Sequence, residues 1–283
     1  MSLGLVYKNN KHIFDEVEKE TPYLSYPLFE NTGLVNQGFS TRLGGVSEGC
    51  YSSLNLSFDR GDKKEAVKEN FRRIGKAIGV RCEDMVLSKQ THTTNVRIAS
   101  EEDRGKGIIR DRDYTDVDGL VTNVPGLCLV TSYADCVPLY FVDPVRKVIG
   151  LSHSGWRGTV GKIGKNTVEL MHSRFGSDPG DILAAIGPSV CMDCYEVSAD
   201  VIDRFKESFD KKYWEQLFYE KPDGKYQLDL WKANELIFLE AGIAEEHIAV
   251  TNVCTHCNSE ILYSHRASGD KRGNLCAFLA IKK

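Results

Sequence analysis

The sequence predicts a mixed α/β (α+β) fold, a single compact domain of layered β-sheets flanked by helices. Three observations support this prediction. The chain of 283 residues is long enough to bury a large core. Apolar runs of strand length alternate with segments of helical spacing. Because no internal repeat, low-complexity tract or long linker divides the chain, residues 1–283 are treated as one domain.

The N-terminal half contains one clear helix and several strands. Residues 65–79 carry apolar side chains every three or four positions and end at a glycine, as an amphipathic helix with a glycine C-cap does. Residues 85–100 predict two short strands separated by a polar patch around Gln90 and His92. Residues 114–123 are rich in turn formers. The apolar run after them predicts a β-hairpin that turns at Asp143 and Pro144.

The C-terminal half alternates helices and strands. Helical spacing bounded by capping residues predicts the helices, and short apolar runs predict the strands. The predicted helices cover residues 159–176, 198–209 and 228–242, and the predicted strands cover residues 181–188, 247–254 and 274–283.

The charge of the chain is nearly balanced, with 36 Lys and Arg against 40 Asp and Glu and a net charge of −4. We therefore expect neither nucleic acid nor membrane as a partner, but a small molecule. The N terminus lacks the basic and apolar regions of a signal peptide. The most apolar stretch, residues 119–143, is interrupted by Asn123, two prolines and Asp135. A cytoplasmic protein is expected.

Three residues in polar breaks of the sequence form a candidate metal site. If the hairpin turns between Asp143 and Pro144, Leu151 lies opposite Cys136, and Cys136 and His153 become diagonal neighbours on one face. His92 occupies a similar polar break. A cysteine and two histidines suit Zn²⁺, and three protein ligands leave one position for water or substrate. The alternative is that both histidines are hydrogen-bonded turn residues and that Cys136 is a small buried hydrophobe.

Seven short motifs, in this order, resemble the YfiH-like family, whose members were formerly labelled multicopper polyphenol oxidases or laccase-domain proteins. The motifs are TRLGGVS (41–47), KQTH (89–92), DVDGLVTN (116–123), ADCVPLYFVD (134–143), HSGWRGT (153–159), AIGPSVCMDCYEV (185–197) and CTHC…YSHR (254–266). The resemblance runs from about residue 30 to the C terminus. Residues 1–29 are therefore predicted to be an N-terminal extension or edge segment.

The resemblance implies a compact YfiH-like fold and a zinc-dependent purine nucleoside enzyme. By motif, the zinc ligands are His92, Cys136 and His153. Members of the YfiH-like family phosphorolyse adenosine, inosine, guanosine and methylthioadenosine to the free base and a pentose 1-phosphate, and they also deaminate adenosine. Bacterial members are linked to peptidoglycan editing.

The older laccase label fails on ligand count. A multicopper oxidase must hold a trinuclear copper cluster with about eight imidazoles beside its electron-transfer copper. This chain contains seven histidines in total, without an HxH pair. The sequence therefore excludes a true laccase.

Several polar residues are candidates for the reaction itself. Asp135, beside Cys136, is the candidate acid–base group for deamination, although the hairpin register points it away from the metal face. Arg42, near flexible glycines, and Arg157, just before a predicted helix, are the candidates for binding phosphate. Gln90 and Arg266 are candidate substrate contacts. Each arginine has an alternative role as a surface or turn residue.

Two CxxC pairs leave the question of a second metal open. Nine cysteines, an odd number in a chain without a signal peptide, indicate a reducing compartment in which thiols pack, bind metal or act as nucleophiles. CMDC and CTHC resemble a four-cysteine zinc site, but the segment between them is longer than usual. Similar proteins have cysteines at some of these places without a known zinc. These cysteines are Cys191, Cys194, Cys254 and Cys257.

Two further hypotheses for function remain. In the first, Cys136 is the nucleophile and His153 or His92 the base of a metal-free hydrolase, acting on an amide or a peptidoglycan-related substrate. In the second, the protein binds a partner without catalysis and retains a structural zinc. The oligomeric state is not indicated by the sequence.

Overall fold

A computed structural model describes residues 3–283. Its α-helices are α1 (Pro27–Glu30), α2 (Lys64–Ile78), α3 (Trp156–Val160), α4 (Ile163–Phe175), α5 (Ala199–Ser208), α6 (Trp214–Leu217), α7 (Leu230–Glu240) and α8 (His265–Ser268). Its strands are β1 (Asp15–Val17), β2 (Tyr23–Ser25), β3 (Val35–Ser40), β4 (Met85–Leu87), β5 (Val96–Ile98), β6 (Gly119–Thr122), β7 (Cys128–Tyr133), β8 (Val137–Asp143), β9 (Val148–Ser154), β10 (Leu183–Ile186), β11 (Glu196–Val197), β12 (Phe218–Glu220), β13 (Tyr226–Leu228), β14 (Ile248–Val250) and β15 (Leu275–Ile281).

The strands form two six-stranded mixed sheets and one small sheet. The first sheet has the order β1-β2-β3-β15-β7-β4, the second β14-β10-β8-β9-β6-β5, and the third β11-β13-β12. Most neighbours are antiparallel, but β4 runs parallel to β7, β14 to β10 and β5 to β6. The predicted fold class of layered sheets with flanking helices is confirmed.

The two large sheets pack face to face, and helices cover their outer faces. Leu129 of β7 and Tyr140 of β8 lie in one buried cluster between the sheets. The outer face of the first sheet packs on α2, where Phe71 joins the cluster of β7 and β15. On the outer face of the second sheet, Phe141 contacts Phe238 of α7, with ring centroids 5.1 Å apart. Because successive side chains of a strand point to opposite faces, each sheet contributes to two cores.

Most of the predicted elements are confirmed. The predicted helix 65–79 is α2, which ends at Gly79 in the left-handed conformation. The helix predicted over 228–242 is α7, and Asp229 caps it by accepting a hydrogen bond from the Lys232 N–H. By contrast, the single helix predicted over 159–176 is wrong. The chain breaks it into α3 and α4 at Lys162, whose φ is 57°.

The predicted hairpin exists, but its register differs from the expectation. Asp143 pairs with Val148 and Pro138 with His153, so the turn contains residues 144–147. The Asp143 carboxylate holds this turn by accepting hydrogen bonds from the Val145 and Arg146 N–H groups, each 2.9 Å long.

The predicted pairing of Leu151 with Cys136 is therefore wrong. Extending the observed ladder by one pair places Gly155 opposite Cys136. Gly155 lies an even number of residues after Leu151. Because the side-chain period of a strand is two, the change in register leaves Cys136 and His153 on the same face as diagonal neighbours.

Before residue 41 the sequence predicts only an N-terminal extension or edge segment over residues 1–29, without individual strands. In the structure, β1 and β2 form the edge of the first sheet, with β1 outermost. Across residues 3–283, no helix combines the length and the apolar character that a membrane crossing requires.

Candidate metal centre and cleft

The side chains of His92, Cys136 and His153 converge at one end of the two-sheet core. His92 follows β4 of the first sheet on the way to β5 of the second, and Cys136 lies between β7 of the first sheet and β8 of the second. His153 is the last residue but one of β9. Their ligand atoms all lie within 4.8 Å of one another. The fold thus brings together residues from two sheet crossings and one strand end.

Gly155 leaves the space in which these side chains meet. A Cβ atom at this position would lie 2.9 Å from Nδ1 of His92 and 3.2 Å from Sγ of Cys136. Any larger residue would push one of these two side chains away. The contacts of its missing side chain therefore explain why glycine occupies position 155 in the motif HSGWRGT.

The carboxylate of Asp118 forms hydrogen bonds with both histidines. Its buried carboxylate accepts a 2.8 Å hydrogen bond from Nδ1 of His153 and a 3.1 Å bond from the backbone N–H of His92. Its second oxygen accepts from the backbone N–H groups of Thr91 and Thr93. Because a carboxylate can only accept, Nδ1 of His153 carries the proton and Nε2 is left as the ligand atom.

The charges at the site favour a thiolate at Cys136. Burial alone would raise the pKa of this thiol, but His153 and His92 outweigh burial and lower the pKa to about 6. Burial alone would lower the pKa of His153, but Cys136 and Asp118 raise it to about 9. Since the thiolate is the form of cysteine that binds metals and attacks carbonyl groups, the arrangement suits either chemistry.

A polar cleft of about 340 Å³ opens beside the three residues, all of which line it. Most of the charged side chains in its wall are basic. They are Arg60, Lys89, Arg112 and Arg272, together with Asp59. Lys89 pairs with Asp59 at 3.0 Å, whereas the guanidinium of Arg60 lies 3.5 Å from the carboxylate of the exposed Asp270. The cleft therefore suits an anionic ligand.

Arg272 is the most unusual of these basic residues because it is buried, with 5% of its surface exposed. Burial lowers the pKa of its guanidinium to about 10. Nη1 donates to the backbone oxygen of Gly273 and to Asn274, but Nε is buried and has no hydrogen-bond partner among residues 3–283. A buried donor without a partner is costly. Arg272 also lines the cleft, so its charge adds to the positive potential there.

Two of the residues predicted from the sequence lie close to the metal-candidate residues. Gln90 lines the cleft, but its amide is held by the backbone of Ser132 in bonds of 2.7 and 2.8 Å. Asp135 adjoins Cys136, and its carboxylate accepts from Oγ1 of Thr255 and from the N–H of Arg266, each at 2.6 Å. These contacts favour a positioning role for Asp135, and its acid–base role stays a prediction.

The three arginines singled out from the sequence are not among the residues that line the cleft. Arg42 donates to the backbone oxygens of Ser52 and Ser259 and stacks on Tyr263. Arg157 is exposed and lies 4.3 Å from the ring centroid of Trp156. Arg266 is exposed and lies over Tyr195. Their roles in binding phosphate or substrate stay predictions.

Asp118 and Arg272 were not predicted from the sequence as individual site residues. Both occur inside segments that the motifs span or adjoin, DVDGLVTN and the glycine-containing run after YSHR. A carboxylate just before a buried strand was an available signal for Asp118. Nothing local indicates that Arg272 is buried.

Comparisons with known proteins agree with the motifs. Residues 36–282 match the model of a family described as multi-copper polyphenol oxidoreductase laccase. Purine nucleoside phosphorylase YlmD of Bacillus subtilis (strain 168) is 36% identical over 258 residues, 90% of this chain and 91% of that protein. Adenosine deaminase RL5, from an unknown prokaryotic organism, is 34% identical over 240 residues, 84% of this chain and 90% of that protein.

The fold has a close counterpart among solved structures. The crystal structure of the Bacillus licheniformis hypothetical protein YfiH matches with a TM-score of 0.90 at 33% identity, covering 96% of this chain and 100% of that chain. The resemblance and the fold inferred from the motifs are confirmed.

Proposed function

We propose that this chain, which belongs to the family described as multi-copper polyphenol oxidoreductase laccase, is a zinc-dependent purine nucleoside phosphorylase that also deaminates adenosine. The proposal follows the phosphorylase and deaminase relatives of the chain. Adenosine, inosine, guanosine and methylthioadenosine are the proposed nucleosides. The observation that carries the proposal is the cluster of His92, Cys136 and His153 beside a basic cleft, in a chain 36% identical to a purine nucleoside phosphorylase.

The three clustered residues fit zinc. Two imidazoles and one thiolate are ligands that zinc prefers, and three protein ligands are typical of a catalytic rather than a structural site. The carboxylate of Asp118 behind His153 is the usual support for a metal-binding histidine. A zinc ion held there supplies a Lewis acid that activates water near neutral pH.

For phosphorolysis, we assign the phosphate to Arg272 and Arg60. A phosphate oxygen forms a bond to C1′ of the pentose while the bond from C1′ to the purine nitrogen breaks. The purine leaves with the bonding electrons and takes up a proton. Positive charge from the buried Arg272 and from Arg60 holds the phosphate in line for this attack.

For deamination, water adds its oxygen to C6 of adenosine and gives up its two protons, one to N1 and one to the amino nitrogen. The bond from C6 to that nitrogen then breaks, and ammonia leaves with the bonding electrons. Gln90, whose amide is locked to Ser132, forms a rigid part of the wall against which the nucleoside binds. In this proposal Asp135 keeps the segment of Cys136 in place.

A cysteine hydrolase is the second candidate, favoured by the lowered pKa of the Cys136 thiol beside His153 and Asp118. In such enzymes a nucleophile contacts a base, and the base in turn is hydrogen-bonded to a carboxylate that orients it. The substrate would be an amide or a peptidoglycan-related compound. Zinc at the same residues would occupy the nucleophile, so the two candidates exclude each other in one molecule.

The test is to incubate the zinc-containing protein with adenosine, with and without phosphate, and to quantify adenine and inosine separately. We expect adenine only when phosphate is present. Inosine should form without phosphate, and with phosphate the sum of inosine and the hypoxanthine released from it should take its place. Cys136→Ala should abolish both products, whereas Cys82→Ala, outside the cluster, should retain them. If the zinc-loaded protein forms neither product above the Cys136→Ala level, the proposal is wrong. Amide hydrolysis that survives removal of zinc would support the second candidate.

A further inference from the structure

Four cysteines meet at a second place in the fold, apart from the cluster of His92, Cys136 and His153. The sulfur atoms of Cys191, Cys194, Cys254 and Cys257 all lie within 4.8 Å of one another. Those of Cys194 and Cys257 are 3.6 Å apart. A tetrahedral zinc ion with four sulfur ligands at ~2.3 Å requires sulfur atoms about 3.8 Å apart. The cluster therefore has nearly the size of such a site.

The second sheet explains why two CxxC motifs so far apart in the sequence meet. Strands β10 and β14 are parallel neighbours, with Ile186 opposite Val250. Both motifs follow the carboxyl ends of these strands, where neighbouring parallel strands bring their next residues side by side. The contact continues as Thr255 donates its N–H to the backbone oxygen of Ser189 at 3.1 Å. Strand pairing thus brings the two CxxC motifs together despite the long segment between them.

Backbone and charge around the cluster also suit thiolates. The N–H groups of Cys191 and Cys257 point at Sγ of Cys254, at 3.3 and 3.5 Å. Such bonds stabilise sulfur that carries negative charge. The ammonium group of Lys8, which binds Asp193 at 3.0 Å, lies near enough to Cys191 and Cys257 to interact with their charge. Four thiolates around one Zn²⁺ leave an excess of negative charge, which a lysine offsets.

We propose that Cys191, Cys194, Cys254 and Cys257 bind a structural zinc ion. Four protein ligands leave no position for a substrate, so this ion holds the fold together and takes no part in the reaction. The four-way proximity distinguishes the cluster from a disulfide, which would draw together two of the sulfur atoms.

The proposed ion would also brace the segment that carries Cys136. Val190, just before Cys191, donates its N–H to the backbone oxygen of Asp135 at 3.1 Å. Thr255, between the two cysteines of the other motif, donates its hydroxyl to the Asp135 carboxylate. Both zinc-bearing segments therefore hold Asp135, the neighbour of Cys136. The proposal stands without the proposed function, because it rests on different residues.

The test is to count zinc per chain in protein purified under reducing conditions. We expect two zinc ions in the wild type and one in each of Cys194→Ser, Cys257→Ser and His153→Ala. Cys50→Ser, an exposed cysteine outside both clusters, should keep two. A wild type with a single zinc that His153→Ala abolishes would overturn the second site and leave the nucleoside proposal standing.

If the cysteine variants fail to fold, the visible absorption of cobalt-substituted protein tests the site without them. In His153→Ala protein reconstituted with Co²⁺, four thiolate ligands should give sulfur-to-cobalt charge-transfer absorption and the strong visible bands of tetrahedral cobalt. Absence of these bands would overturn the proposal, as would a disulfide among the four cysteines in mass spectra of unreduced wild type. Full nucleoside activity of His153→Ala with the bands intact would instead count against the proposed function alone.

Discussion

At the scale of single residues, the candidate metal site depends on the buried carboxylate of Asp118. Asp118 is fully buried and gives both carboxylate oxygens to the segment of His92 and to the ring of His153. Burial alone would raise the pKa of its carboxyl, but the hydrogen bond and charge of His153 outweigh burial and keep the pKa below its usual value. Asp118 is thus a charged positioning residue.

Replacing Asp118 by Asn should weaken zinc binding at the site of His92, Cys136 and His153 by about 10- to 100-fold, because His153 loses the carboxylate that orients it. Titration against a competing chelator measures this affinity. The matched control is Asp116→Asn, on the same segment, since Asp116 contacts Asn95 and Thr91 rather than His153. Equal zinc affinities for both variants would contradict the assigned role.

The buried guanidinium of Arg272 gives a second prediction at this scale. Arg272→Gln should raise the KM for phosphate by about 30-fold, corresponding to about 2 kcal/mol for a lost charged hydrogen bond. Deamination, which uses no phosphate, should keep its KM for adenosine. Initial rates over a range of phosphate concentrations check this outcome. Arg157→Gln, an exposed arginine outside the cleft wall, serves as the comparison, and a larger effect there would return the phosphate to the residue predicted from the sequence.

At the scale of elements, the buried carboxylate of Asp103 stabilises the turn after β5 through ion pairs. The carboxylate of Asp103, 1% exposed, accepts from Arg97 of β5 at 3.0 Å and from Lys106 at 2.8 Å. It also accepts from the N–H of Ser100 at 2.9 Å. Burial alone would raise the pKa of Asp103, but these partners outweigh burial and lower it. The turn after β5 is therefore held by charge.

The lowered pKa of Asp103 sets the sign of a pH dependence. The stabilisation is complete above the unfolded pKa of about 4 and is lost as the pH falls through the lower folded pKa. Asp103→Asn should cost about 3 kcal/mol of unfolding free energy at pH 7. The difference from wild type should shrink below about pH 4. Urea unfolding at several pH values measures it. The control is Asp113→Asn, which removes an exposed partner of Lys106. If the difference in unfolding free energy between Asp103→Asn and wild type did not change with pH, the assigned role of the Asp103 charge would be wrong.

At the scale of the whole molecule, the two large sheets are joined by hydrogen bonds across their shared core. The buried hydroxyl of Tyr140 in the second sheet donates to the backbone oxygen of Gly38 in the first at 3.0 Å. Tyr133 of the first sheet donates in the reverse direction to Ser152 at 3.1 Å. Because these hydrogen bonds form only when the two sheets are correctly aligned, the tyrosines add specificity to the packing of an otherwise apolar core.

Tyr140→Phe should lower the unfolding free energy by about 1 kcal/mol, because the ring stays and only the hydrogen bond to Gly38 is lost. Zinc content should not change, since neither residue contacts the metal-candidate residues. Urea denaturation with zinc analysis checks both outcomes. Tyr219→Phe, half-exposed on the small sheet, is the control, and equal stabilities of the two variants would show that the bond contributes nothing.

The sequence by itself determined the fold class, the helices α2, α5 and α7, and the residues of the candidate metal cluster. Helical spacing and capping residues are local signals, so they survive without knowledge of the fold. The hairpin also placed Cys136 and His153 on one face despite the wrong register, because face depends only on whether the shift is even.

The tertiary structure alone decided the hairpin register, the break at Lys162, the burial of Arg272 and the meeting of Cys191 with Cys254. The burial of Arg272 and the meeting of the cysteines depend on contacts between segments far apart in the chain, whereas the register is set by the turn that Asp143 holds. The cysteines meet because β10 pairs with β14, and Asp118 reaches His153 because β6 pairs with β9. Strand pairing is set by the packing of the whole molecule, and no local pattern encodes which strands become neighbours.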